Sequence, residues 1–183
     1  MSFVQLVGLH SSASPLVYRK RFLEHHDQSP DSRVWLIDNK YYRASVPLRV
    51  DGDDATDGED QDAEVAALLL LFDSRETNAE LLEEAQRALD AIGGAVELLA
   101  AVDVRDDDVA GDADDTIIES EADLGWWSEW LLQNGGELVR AHGDDELCGA
   151  RRVGEMLSAH VWPQLERKAA PRRAKLSEAQ PIF

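Results

Sequence analysis

Hydrophobic positions along the chain switch between strand-like and helix-like spacing, and the switches outline the fold. Residues 3–7 alternate as a short strand that stops at Gly8. Ser14-Pro15 opens a helix over 15–26, with Ser as cap and Pro at the first helical position. Val34, Trp35, Leu36 and Ile37 form an apolar run, which Asp38, Asn39 and Lys40 interrupt with turn residues. Tyr41, Tyr42, Val46, Leu48 and Val50 then resume, so 34–50 reads as a β-hairpin. Residues 65–72 are apolar without a break, the mark of a central strand covered on both sides. Thr77 and Glu80 make a capping box for a helix carrying Leu81, Leu82, Ala85, Ala88, Leu89 and Ile92, which Gly93-Gly94 ends. A strand over 96–102 follows. Ser120 and Asp123 suggest a cap for a helix striped by Trp126, Trp127, Trp130 and Leu131, stopped at Asn134-Gly135-Gly136. A short strand over 138–141 precedes a last helix carrying Leu147, Ala150, Val153, Leu157 and Val161, which Pro163 bends or stops.

The order is β-α-β-β-β-α-β-α-β-α. Strands alternating with helices demand a mainly parallel sheet with right-handed crossovers and helices on both faces. The expected fold is therefore a three-layer α/β domain with six strands, whose one antiparallel element is the edge hairpin. That is the layout of small GTPases, with an acidic segment in place of the helix between the third and fourth strands.

Charge narrows the partners. The 183 residues carry 37 acidic against 18 basic side chains, a net charge of −19. Phosphate backbones are held by basic patches, so nucleic acid is not expected as a ligand. Anionic membranes are disfavoured for the same reason. Acid concentrates in two blocks, 51–64 and 106–115, which read as solvated loops. Base returns in Arg167, Lys168, Arg172, Arg173 and Lys175, so the expected division is one folded unit over 1–166 and a loose basic tail over 167–183. Cys148 is the only cysteine, which rules out an intrachain disulfide. MSFVQLVGLH has neither a basic n-region nor a long apolar run, and no stretch reaches the ~20 apolar residues of a spanning helix. A soluble, cytosolic protein is expected.

A working GTPase needs G-x-x-x-x-G-K-[ST] after its first strand. Counted from Gly8, Ala13 stands for the second Gly, Ser14 for the Lys and Pro15 for the Ser/Thr. Ala13 adds a Cβ where backbone must approach phosphate, Ser14 removes the cation, and Pro15 removes the Mg²⁺-binding hydroxyl and one N–H. After the third strand Asp51-Gly52-Asp53-Asp54 replaces D-x-x-G, and Ala100-Ala101-Val102-Asp103 replaces the base-reading N-K-x-D, so only Asp103 survives. Neither hydrolysis nor a bound nucleotide cofactor is expected.

Trp35-Leu-Ile-Asp-Asn-Lys-Tyr-Tyr42 resembles the W-x-I-D-N-K-Y-Y hairpin of the alpha- and gamma-adaptin-binding proteins. Leu70-Leu71-Phe72-Asp73-Ser74 is similar to that family's strand ending in F-D-S. Glu129-Trp130, Gly135 and Glu137-Leu138-Val139 resemble its E-W-x(4)-G-x-E-L-V segment. Arg152-Val153 and Ala159-His160-Val161-Trp162 resemble its last helix, and the set is collinear over roughly residues 3–166. The resemblance implies a pseudo-GTPase: a small-GTPase-like fold without nucleotide chemistry. It also implies a cytosolic assembly chaperone that binds large and small subunits of clathrin adaptor complexes in vesicle trafficking and endocytosis. Members commonly carry a further C-terminal helical region linked to self-association. The sequence reaches Phe183 without it, which removes the ground for expecting homo-oligomers.

If the hairpin docks a partner, Trp35, Lys40, Tyr41 and Tyr42 are the expected contacts, with the first hairpin strand offering an open sheet edge. The competing assignment packs Trp35 and one Tyr on the first helix. Two other functions fit parts of the sequence: a divergent guanine-nucleotide switch and an acidic calcium-responsive module. Asp53, Asp57, Gly58 and Glu64 occupy EF-hand loop positions, but Ala55 breaks the pattern and a strand leads in. His25-His26 lacks further ligands at metal spacing, and His10, Ser11 and Ser12 lack an oxyanion hole. Of Trp126 and Trp127, about 100° apart on a helix, one is expected to face outward.

Overall fold

In the computed structural model, residues 2–9, 13–51, 64–74, 79–93, 96–104, 124–140 and 148–168 are described. The chain forms β1 (Ser2–Gly8), α1 (Pro15–His25), β2 (Val34–Asp38), β3 (Tyr42–Val50), β4 (Glu64–Phe72) and α2 (Ala79–Ile92). It continues as β5 (Leu98–Asp103), α3 (Gly125–Gln133), β6 (Glu137–Arg140), α4 (Cys148–Ala159) and β7 (Glu166–Arg167). The sheet runs β2-β3-β1-β4-β5-β6. β1 is parallel to β3 and β4, β5 to β4 and β6, and β2 is antiparallel to β3. The expected three-layer α/β architecture is present.

β4 divides the interior in two. Ala67, Leu69 and Leu71 face one side, where Tyr18, Phe22 and Leu23 of α1 and Val153 and Leu157 of α4 cover them. Leu68, Leu70 and Phe72 face the other, against Leu81 and Ala85 of α2 and Trp127 and Leu131 of α3. Every residue from Ala66 to Phe72 is at most 3% exposed, so neither face tolerates a polar residue. β5 follows the same division, with Ala100 and Val102 on the first side and Leu99 and Ala101 on the second.

Three details differ from the sequence expectation. The last helix ends at Ala159, so Val161 lies 75% exposed and Trp162 takes the buried place, its indole N–H donating to the Leu157 carbonyl at 2.8 Å. α3 starts after Leu124, which makes no side-chain cap bond; Ser120 and Asp123 lie outside the described residues. A seventh strand appears where the loose tail was expected to begin. Gln164 bridges the Ser2 and Ser45 carbonyls at 3.0 and 3.1 Å, and β7 then pairs with Tyr42 and Arg43 at the start of β3. Arg167 is thus in the sheet, and the Lys168 N–H reaches the Tyr41 carbonyl at 2.9 Å. The rest of the expected tail, 169–183, is outside the described residues.

His26 is wedged where α1, α4 and β2 meet. Its ring lies 4.7 Å from Phe22 and 5.4 Å from Trp35, and its Nε2 reaches the Ala150 carbonyl at 3.4 Å. Gly154 of α4 gives it room: a Cβ there would stand 2.4 Å from Nε2. Burial pushes the imidazole below its ordinary pKa and outweighs the Ala150 bond; His25 adds to the lowering and Asp27 opposes it.

Two outcomes are expected. Gly154→Ala gains about 1 kcal/mol of helix propensity but overpacks the His26 ring, which costs about 1–3 kcal/mol. Urea denaturation should show a net loss, and the loss should vanish in a His26→Ala background. Because the folded chain favours neutral His26, the unfolded chain binds that proton first. This contribution to stability is therefore complete above the ordinary imidazole value and falls as pH drops below it. An NMR titration of the His26 ring should show a midpoint below about 6.5; a midpoint at or above that value contradicts the packing argument.

Candidate functional site

Two places were singled out by sequence: the end of β1, where a phosphate loop would sit, and the β2–β3 hairpin. At the first, the strand end and the helix start lie close together. A Cβ on Gly8 would lie 2.3 Å from the Ala13 carbonyl oxygen and 2.9 Å from Pro15 Cδ, so the start of α1 closes tightly on the strand end. Ala13 is 2% exposed. Pro15 has no N–H, and the Val17 N–H points to Ser14 Oγ at 3.5 Å. The Tyr18 N–H bonds the Ser14 carbonyl at 3.0 Å, so two of the helix's first donors are turned onto its own cap. His10, Ser11 and Ser12 lie outside the described residues.

Asp103, the match to the base-reading pattern, lies between two strand ends. It is fully buried at the end of β5, opposite Phe72, and its carboxylate accepts the Ser74 N–H at 3.0 Å. The neighbouring Val104 N–H bonds the Phe72 carbonyl at 2.7 Å. Asp103 therefore ties the end of β4 to the end of β5. Asp51 closes β3 by donating its N–H to Leu6 at 3.1 Å, and 52–63 are outside the described residues, with most of the EF-hand-like pattern. Among the described residues no group of three or more His, Cys, Asp or Glu is placed to hold a metal ion.

The hairpin sits at the edge of the sheet, as expected, and Trp35 follows the competing assignment, packing on α1, while Tyr42 reaches α4 instead. Trp35 is 3% exposed and packs edge-on against Phe22 at 5.3 Å. It is a core residue, unavailable as an anchor, because β2 alternation aims it with Ile37 at α1. Tyr42 is half-buried, and its hydroxyl donates to the Ser158 carbonyl of α4. Asn39 builds the turn: its Oδ1 accepts the N–H groups of Tyr41 and Tyr42 at 2.9 and 3.0 Å. Asp38 pairs with Arg43 at 2.9 Å and with Lys168. The Lys168 hydrogen bond, then Arg43, holds this exposed carboxyl below its usual pKa. Lys40 and Tyr41 remain at the tip, with Nζ 4.6 Å from the ring centre and Tyr41 66% exposed.

Leu36, 56% exposed, belongs to this surface and was missed. Strict alternation would have found it: once Trp35 is core, Leu36 must point out. The outer edge of β2 is also not open at its centre. Leu36 bonds the Gln28 carboxamide through both backbone groups, N–H to Oε1 at 2.8 Å and C=O to Nε2 at 2.7 Å. Val34 is closed by the Ser32 hydroxyl in the same manner, at 3.0 and 2.7 Å.

On the opposite side of the molecule, Leu98, Leu99, Gly136, Met156 and Ala159 floor a recess of about 370 Å³. Arg152 and Glu137 close its rim with a two-point ion pair at 2.6 and 2.8 Å. Of the tryptophans, Trp127 is fully buried against Phe72 at 4.7 Å, and Trp126 is the more exposed of the adjacent pair. Comparison with protein-family models, curated proteins and solved structures returns no match.

Substitution separates the two kinds of hairpin residue. Trp35→Ala should cost about 3–5 kcal/mol as a core truncation, whereas Tyr41→Ala should change stability by less than about 0.5 kcal/mol. Paired urea melts check both; a neutral Trp35→Ala contradicts the assignment.

Proposed function

We infer that the chain is a non-enzymatic, cytosolic pseudo-GTPase that binds large and small subunits of clathrin adaptor complexes and assists their assembly or trafficking. The observation that carries the reading is the close approach of Ala13 and Pro15 to Gly8. The start of α1 closes on the end of β1 there, with a proline and no lysine at the helix start, in a domain whose strand order is that of a nucleotide switch. The collinear resemblance to the adaptin-binding proteins supplies the partner. With a net charge of −19, neither nucleic acid nor an anionic membrane is a favoured partner. No helix among the described residues is long and apolar enough to cross a membrane.

The loop into the hairpin fits a surface displayed without a nucleotide. In a nucleotide switch that loop is drawn in by γ-phosphate and released on hydrolysis. Here it is held by Gln28 on Leu36, by Ser32 on Val34, and by Lys20 near Asp31 at 3.8 Å. Lys40 and Tyr41 at the hairpin tip are the contacts this reading assigns.

The purified chain should capture adaptor large and small subunits in a pull-down. Tyr41→Ala should weaken capture by about tenfold, the scale of an interface hot spot, without lowering the melting temperature. Millimolar GTP–Mg²⁺ should leave that temperature unchanged, since only a ligand that binds the folded state raises it. No capture of either subunit sinks the adaptor assignment; stabilisation by GTP–Mg²⁺ sinks the pseudo-GTPase assignment.

A further inference from the structure

The end of α1 is shaped to deliver one side chain to the sheet edge. Asp27 adopts φ +55, the only positive φ at a non-glycine among the described residues. The N–H of Asp27 bonds Glu24 at 3.0 Å and that of Gln28 bonds Leu23 at 2.9 Å, the two bonds of a Schellman stop. That reversal sends Gln28 across to β2. Its carboxamide then offers Leu36 one donor and one acceptor, as a peptide group of a neighbouring strand would. Gln28 copies a single rung of a β-ladder. The rung consists of two side-chain hydrogen bonds at the surface, a contact that a true strand can exchange at little cost.

The surroundings indicate what kind of strand. Leu36 is 56% exposed at the middle of β2. Arg33 precedes the strand; at its far end Arg43 and Lys168 share the single carboxylate of Asp38, and exposed Lys40 stands over the Tyr41 ring, so cations outnumber acid there. A cationic border on a chain of net charge −19 favours an acidic occupant. A second copy is disfavoured, because it would bring the same cations face to face and carry the same net charge.

We propose that β2 is a gated docking edge for an extended acidic segment of a partner protein, and that Gln28 is the displaceable gate. The incoming strand takes the Val34 and Leu36 backbone groups from Ser32 and Gln28, covers Leu36, and sets its carboxylates against the cations at both ends of β2. The adaptor reading is used only for the natural source of that strand.

The test uses the full chain and a fluorescent nine-residue peptide of alternating Glu and Val, with a Lys–Val peptide as control. The native chain should bind the acidic peptide in preference to the basic one, with amide shifts centred on Val34 and Leu36. Gln28→Ala should tighten binding by about tenfold, since the competing rung is gone. Gln28→Met, which keeps the stem without the hydrogen bonds, should do the same should Ala loosen the helix end. Leu36→Asp should abolish binding while the fold, followed by circular dichroism, is kept. Equal affinity of native and Gln28→Met chains overturns the gate, and so does self-association of Gln28→Met without peptide. Amide shifts centred elsewhere overturn the edge itself. Adaptor capture that is indifferent to Leu36→Asp overturns the edge while leaving the adaptor reading intact. Peptide binding as described, with no adaptor capture, upholds the edge and removes the adaptor reading.

Discussion

The two-sided burial of β4 is the constraint from which the architecture follows. A strand with Ala67, Leu69 and Leu71 on one face and Leu68, Leu70 and Phe72 on the other cannot leave either face in water. Each face must be roofed, and connections of this length roof them with helices. α1 and α4 close one side, α2 and α3 the other. β1 and β5 are held parallel beside β4, and the β2–β3 pair is left toward one edge. The exposed hairpin is thus a consequence of where the apolar area is greatest.

Within that frame, the end of β1 and the end of β5 are the places where a nucleotide switch would hold its ligand. A phosphate loop needs an empty concavity lined by N–H groups. Here the corresponding turn folds Ala13 and Pro15 onto Gly8. Asp103, the one residue left from the base-reading pattern, joins two strand ends by accepting from Ser74. At both places the described residues are held by the chain's own groups.

The hairpin motif illustrates how much a short pattern can reveal. Its element type, turn position and edge location were legible, because Asp38-Asn39-Lys40 between apolar runs has few other solutions. Its surface was less so. In W-L-I-D-N-K-Y-Y, Trp35 and Ile37 are core, Asp38 binds Arg43 and Lys168, Asn39 makes the turn, and Tyr42 holds α4. A string that reads as an address is largely a fastening. Leu36, Lys40 and Tyr41 are what it leaves outside. The helix boundaries erred for a related reason: Val161 fits helical spacing, but the indole of Trp162 needs the buried volume more and turns the chain to reach it.

Local pattern was sufficient for what depends on near neighbours in sequence. The strand and helix order, the Ser14 cap, the Gly93 stop, the continuous apolar β4 and the ruined phosphate motif are all such features. What depended on residues far apart could come only from the folded chain. The Gln28 rung on Leu36 joins a helix end to an edge strand, Lys168 meets Asp38 across 130 positions, and His26 rests on the bare backbone of Gly154. Periodicity says which face of an element is apolar; it does not say which polar side chain will find a backbone group on another element. That choice is made by packing, when burial leaves a donor or acceptor without water and the nearest partner must serve.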